Sequence, residues 1–220
     1  MMKIKCERLT QNIYHLIFPS QWQLAKTFLR FQEHFESPKF RGKIFSLNEF
    51  KKWYIENSLE GKKTGKFTYY RDWNGFNIPS KILLPFYRGK FNPLSVEEQS
   101  LLRLFRNQKR KKFYIIATFK NSGIPLLKHE AAHGLFYTNS KYKKEVTKIL
   151  NRIDKKVKKQ ITNYLSRYGG GYHPKVWADE IHAHIIENLN YLKKQRIDIN
   201  KLLEINKELN KILDGHLKIQ

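Results

Sequence analysis

Three residues at fixed spacing carry the chemistry of this chain. They are His129, Glu130 and His133, in the run Leu126-Leu127-Lys128-His129-Glu130-Ala131-Ala132-His133-Gly134-Leu135-Phe136. On a helix four residues advance about 400°, so both imidazoles project from one face, one turn apart. Two imidazoles so placed can take adjacent corners of a tetrahedral Zn²⁺ site. Glu130 sits where it could accept a proton from a water activated by that metal. Ala131 and Ala132 favour helix. Leu126, Leu127, Leu135 and Phe136 supply the apolar surface that buries it.

A metal site needs rigid elements around it, and the flanking residues provide them. Residues 112–119, Lys-Phe-Tyr-Ile-Ile-Ala-Thr-Phe, read as a buried or edge strand rich in aromatic and β-branched side chains. Ser122-Gly123 makes a turn, and Pro125 suits the first turn of a helix. Strand, short loop and His-Glu-x-x-His helix in that order resemble a zincin metallopeptidase. The resemblance implies a Zn²⁺ cofactor, a peptide or protein substrate, and a zincin-like core with a small sheet packed on the metal-binding helix. The plainer alternative is a buried structural helix with two incidental histidines.

Two histidines leave a catalytic zinc one protein ligand short, with the remaining position for water. In the gluzincin branch, to which the chain is similar, a Glu from a later helix supplies it, often after Asn or Asp. His173-Pro174 opens such a helix, carrying Asp179-Glu180-Ile181-His182-Ala183-His184. The similarity therefore implies Glu180 as the third ligand. His184 lies one turn on along the same face, and is the alternative ligand, an outer donor or a transition-state stabiliser. His182 is about 200° around from Glu180 and should point away. Asp179 could accept the second N–H of a ligand histidine. Metzincins place a Gly three residues after the second His, with a third His beyond. Here Gly134 follows His133 directly, which excludes that branch.

The resemblance implies that Glu130 accepts a proton as a peptide carbonyl is attacked, then passes it to the leaving amine. Tyr168, Tyr172, His173 and His184 are all candidates to stabilise the oxyanion. An exposed edge at residues 113–119 could pair with an extended peptide.

The remaining elements follow from caps and periodicity. Ser20, Ser46 and Ser95 each precede a Gln or Glu three residues on, opening helices near 20–36, 46–58 and from 95. Between them, Lys66-Phe67-Thr68-Tyr69-Tyr70 reads as a strand, and Asn74-Gly75 as the turn of a hairpin. Basic groups beside the rings of residues 64–94 could serve single-stranded nucleic acid, line a substrate cleft, or simply cap a small core. Residues 141–167 have apolar positions at helical spacing and read as one Lys-rich helix. Glycines 169–171 lack the spacing of a phosphate loop. Residues 198–213 read as an amphipathic helix that packs on the domain or forms a dimer strip.

The expected fold is α+β and mostly helical. We expect an N-terminal helical and aromatic subdomain (1–110), a metal-binding core (111–195) and a C-terminal amphipathic helix (196–220). Against 19 Asp+Glu stand 43 Lys+Arg, a net charge of +24. That charge would attract nucleic acid, anionic membrane or acidic proteins, or it reflects only a Lys-biased coding sequence. Cys6 is the single cysteine, so no internal disulfide or Cys-rich zinc ribbon forms. His15, His34, His216 and Cys6 are isolated and read as structural or surface residues. No signal sequence or spanning run is evident, so a cytoplasmic protein is expected, with no membrane association and an open oligomeric state. Two function classes remain: a zinc metallopeptidase, or a basic nucleic-acid-binding module whose His-Glu-x-x-His helix is structural. A protease recruited to nucleic acid or acidic partners, or a zinc hydrolase of a non-peptide amide, would combine or modify them.

Overall fold

The computed structural model describes residues 4–108, 111–167 and 171–217. In chain order the first half holds β1 (Lys5–Thr10), β2 (Ile13–Phe18), α1 (Gln21–Glu36), α2 (Leu47–Asn57), α3 (Leu59–Thr64), α4 (Tyr69–Asp72), β3 (Phe76–Pro79), α5 (Leu84–Tyr87) and α6 (Val96–Leu104). The second half holds β4 (Tyr114–Phe119), α7 (Ile124–Thr138), α8 (Ser140–Leu150), α9 (Lys155–Leu165), α10 (Trp177–Glu187), α11 (Leu189–Lys194) and α12 (Leu203–His216). The chain is α+β and predominantly helical.

Among the described residues the strands form one mixed sheet in the order β1-β2-β4-β3. The β2 and β4 strands run parallel, with Ile13 opposite Tyr114 and Phe18 opposite Phe119. Antiparallel β3 pairs with the other side of β4, Asn77 facing Ile116. Alternation along these strands sends side chains to opposite faces. Ile13, Tyr114 and Ile116 join α7 to α12 in one apolar cluster. Leu16, Phe18, Phe76, Ile78, Ile115 and Ala117 join α1 to α6 in the other. The sheet is thus the middle layer between helices on both sides. Its strands come from both sides of residue 110, so the expected 1–110 segment shares the sheet with the segment after it.

Helix caps fall at the expected serines. Ser20, Ser46 and Ser95 accept from the backbone N–H three residues on, and Ser95 with Glu98 closes a full capping box. Three other expectations are corrected. Residues 66–70 form no strand: Thr68 Oγ1 donates to Asp72 Oδ2 at 2.6 Å, closing the turn of α4. Asn74-Gly75 makes no local hairpin, because β3 pairs with β4 nearly forty residues away in sequence. Residues 141–167 form two helices. Asp154 accepts from the N–H of Lys156 and Val157 and starts α9 afresh. The periodicity ran on because Val146, Ile149, Val157 and Ile161 all bury into one core.

The C-terminal helix α12 buries Ile205, Leu209 and Leu213 against α8 and α10 of its own chain. Among the described residues no helix is long and apolar enough to cross a membrane.

Helix α7 lies on β2, β3 and β4, and Gly134 allows the close approach. A Cβ there would stand 3.0 Å from Ile13 Cδ1, the end of a flexible side chain. We predict that Gly134→Ala is near neutral, since about 1 kcal/mol of helix propensity offsets the crowding. Gly134→Leu should cost about 1–3 kcal/mol by overpacking. Urea denaturation of the two variants checks both values.

Candidate metal centre

Pro125 in the first turn starts α7, and the helix carries His129, Glu130 and His133 into the interior. Packing brings the later helix to the motif: α10 lies along α7 and buries Glu180 and His184 toward it. His129 Nε2 and His133 Nε2 face each other at 3.2 Å. Glu180 Oε1 is 3.8 Å from His133 Nε2. One ligand atom from each of these three residues lies within 4.8 Å of the others. Zinc–nitrogen bonds of about 2.0–2.1 Å place neighbouring tetrahedral ligands about 3.3–3.4 Å apart. The donor types and their separations fit a divalent ion.

Each of the two motif histidines meets a carboxylate at its far nitrogen. Asp179 Oδ1 is 2.9 Å from His133 Nδ1, as expected from sequence. Glu187 Oε2 is 2.9 Å from His129 Nδ1. Carboxylates so placed fix the tautomer and ring orientation that metal binding needs. Glu187 escaped sequence reasoning, although its place two turns beyond Glu180 on α10 was a usable signal. His184 Nε2 lies 3.8 Å from Glu180 Oε2, so His184 borders the same space. A second triad, His129, His184 and Glu187, also brings its donors together. It shares His129, whose Nδ1 is the atom beside Glu187. His182 turns away, stacking on Phe136 at a ring separation of 4.9 Å.

Glu130 is held from the sheet. Asn77 Nδ2 on β3 donates to Glu130 Oε2 at 3.0 Å, and the Tyr114 hydroxyl on β4 donates to Asn77 Oδ1 at 2.5 Å. Gly75 abuts the same carboxylate: a Cβ there would lie 2.2 Å from Glu130 Oε1. The sequence placed Gly75 in a turn and Tyr114 in a strand, but nothing in it marked these two or Asn77 as functional.

A cavity of about 110 Å³ opens onto these groups. Glu33, Glu36, Asp72, Glu130, Glu180 and Glu187 line it, and among the described residues no Lys or Arg does. Tyr172 lines it too, while His173 instead accepts the Lys175 N–H in a cap. Tyr168 lies outside the described residues.

Burial governs the electrostatics. It pushes the Glu130 and Asp179 carboxyls up to about 7. Burial, with Glu36 and Asp179 nearby, raises Glu180 well above the usual carboxylate range. It raises Glu36 likewise, reinforced by Glu130 and Glu33. Burial and the neighbouring His129 drive His133 down and His184 to about 3, so both rings are neutral. Burial also opposes charge on His129, but Glu187, Glu130 and Asp179 outweigh it and raise its pKa. A buried set of carboxylates with no Lys or Arg among its described lining residues is costly, and a divalent cation could compensate it. Neutral imidazoles beside carboxylates are the ligand set such a cation takes.

The expected peptide edge at residues 113–119 is largely taken. Strand β4 is an inner strand, paired by β2 along residues 114–119 and by β3 along residues 114–117. The outer strand on that side is β3, and its Asn77 N–H already donates to Gln32 Oε1 at 3.2 Å.

Glu33 gives the cavity a measurable pH response. Burial raises its carboxyl from 4.5 to about 7. The folded state therefore holds a proton that the unfolded chain loses at lower pH, so stability falls as pH rises from 4.5 to about 7. In Glu33→Gln that part of the fall should vanish, which urea denaturation at pH 5 and pH 7 would reveal. An unchanged difference between the two pH values would refute it.

Comparison with known proteins finds no matching family model, no matching curated protein and no matching solved structure.

Proposed function

We propose that this protein is a zinc-dependent metallopeptidase with a zincin-like core. One observation carries the proposal: the facing Nε2 atoms of His129 and His133, 3.2 Å apart, with Glu180 3.8 Å from the second. His129, His133 and Glu180 would hold the metal. Zinc there would lower the pKa of a bound water towards about 7 and polarise the substrate carbonyl. Glu130, the residue after the first ligand, accepts the water's proton and returns it to the leaving amine. Asp179 and Glu187 keep the two imidazoles turned toward the metal. His184 and Tyr172 border the cavity and are the candidates to donate to the developing oxyanion. The succession of β4, short loop, α7 and a ligand-bearing α10 supports the zincin-like core.

The nucleic-acid reading explains the net charge of +24. It leaves the buried carboxylates beside two imidazoles without a purpose, and so accounts for less of the molecule. The basic surface can still recruit an acidic partner or nucleic acid to a peptidase.

Elemental analysis of purified protein should find one zinc per chain. His129→Ala and Glu180→Ala should both lose it. Asp179→Asn and Glu187→Gln should keep the site with affinity lower by about 10–100-fold, read by competition with a chelating dye. Retention of zinc in Glu180→Ala with loss in His184→Ala would move the third ligand to His184.

Hydrolysis itself is tested with the zinc-loaded protein and a mixed library of quenched fluorescent peptides. Glu130→Gln should retain zinc and lose about 10²–10⁴-fold in rate. Full activity in that variant would remove Glu130 from the mechanism.

A further inference from the structure

We infer that Asn77 and Tyr114 are positioning residues that set the orientation of the Glu130 carboxylate from the sheet. The inference rests on the peptidase reading for its catalytic consequence, but the contact it describes stands on geometry alone. Glu130 lies on α7, yet its side chain is anchored by another layer of the fold. Asn77 Nδ2 donates to Oε2 at 3.0 Å. Across Oε1, the missing Cβ of Gly75 leaves room that any other residue would fill. The carboxylate therefore has one oxygen bonded and the other against bare backbone.

An amide can present either its N–H₂ or its oxygen, and only the first can donate to a carboxylate. The carboxylate selects Nδ2, and the Tyr114 hydroxyl holds that orientation by donating to Asn77 Oδ1 on the other side. Asn77 is 4 % exposed, Glu130 3 % and Tyr114 0 %, so these bonds lie away from bulk water. The backbone of Asn77 is fixed as well, by its place on β3 and by Gln32. Tyr114 and Asn77 stand on adjacent strands with both side chains on the face that carries α7. That sheet register is what aims the network. A carboxylate set in this way approaches a proton with its geometry already established, and misplacement by 1 Å can cost about 10²-fold in rate.

The test uses the full chain and three variants, Asn77→Ala, Tyr114→Phe and the double variant, with Glu130→Gln as reference. Tyr114→Phe removes a single oxygen, so it keeps the test alive should Asn77→Ala not fold. The first readout needs no activity: the side-chain carboxyl ¹³C resonance of Glu130, identified by its absence in Glu130→Gln. It should move in Asn77→Ala and in Tyr114→Phe, and adding Tyr114→Phe to Asn77→Ala should move it no further. The second readout is peptide hydrolysis with zinc content measured alongside. In Asn77→Ala kcat should fall by about tenfold or more at unchanged KM and zinc content. Tyr114→Phe should fall less, and its effect should disappear in the Asn77→Ala background, as expected of a residue that acts through another. Independent, additive losses would show that Tyr114 merely supports the core and would overturn the relay. An unmoved Glu130 resonance would overturn the inference outright. If the wild type hydrolyses no peptide, the peptidase reading fails, while the resonance still decides whether Asn77 and Tyr114 hold Glu130.

Discussion

The structure turns on the burial of acidic and imidazole groups in one place, around a cavity that no described Lys or Arg lines. The chain carries a net charge of +24, so a cationic partner for an interior carboxylate was abundant. Among the described residues none lines the cavity. Burying ionised groups without compensation is among the most expensive things a fold can do. Such a cluster persists where its electrostatic cost is met, and two imidazoles beside Glu180 are donors that could hold a divalent ion. The lysines and arginines meanwhile remain largely on the outside. Interior and surface thus have opposite electrostatic characters.

Three layers converge to build that interior. Helix α7 brings both motif histidines and Glu130, α10 brings Glu180 with the two carboxylates that orient the histidines, and β3 brings Asn77. Helix α1, on the opposite face of the sheet from α7, reaches the same cavity at its C-terminal end through Gln32, Glu33 and Glu36. Its last turn also accepts the His173 N–H at the Glu36 carbonyl, 3.1 Å away, which ties it to the segment leading into α10. The two apolar clusters that sandwich the sheet supply the rigidity. A site assembled from elements distant in the chain can be held only by such packing, since no local sequence preference spans those separations.

Where the sequence misled, the error was one of context. Aromatic residues at 66–70 have strand propensity, but a Thr68–Asp72 bond and burial of Tyr69 favour a helical turn. Residues 113–119 are strand, as their composition indicated, yet composition does not say whether a strand lies inside a sheet or at its edge. The partners of β4 are β2, about a hundred residues earlier, and β3. With β2 on one side and β3 along residues 114–117 on the other, most of β4 offers no edge to a substrate.

What the sequence determined by itself was local. The His-Glu-x-x-His spacing, Pro125, the serine caps and the Asp179-Glu180 pair were legible because helix geometry converts separation along the chain into a shared face. The expectation that Asp179 would meet a ligand histidine came from the same source, and its partner is His133. Tertiary structure alone decided which distant groups close around the motif. Glu187 beside His129, Glu36 near Glu180, and the Tyr114–Asn77–Glu130 chain all depend on how helices cross and how strands register. Those relations arise from packing among three layers, and single residues such as Asn77 or Gly75 look ordinary until the fold sets a buried carboxylate against them.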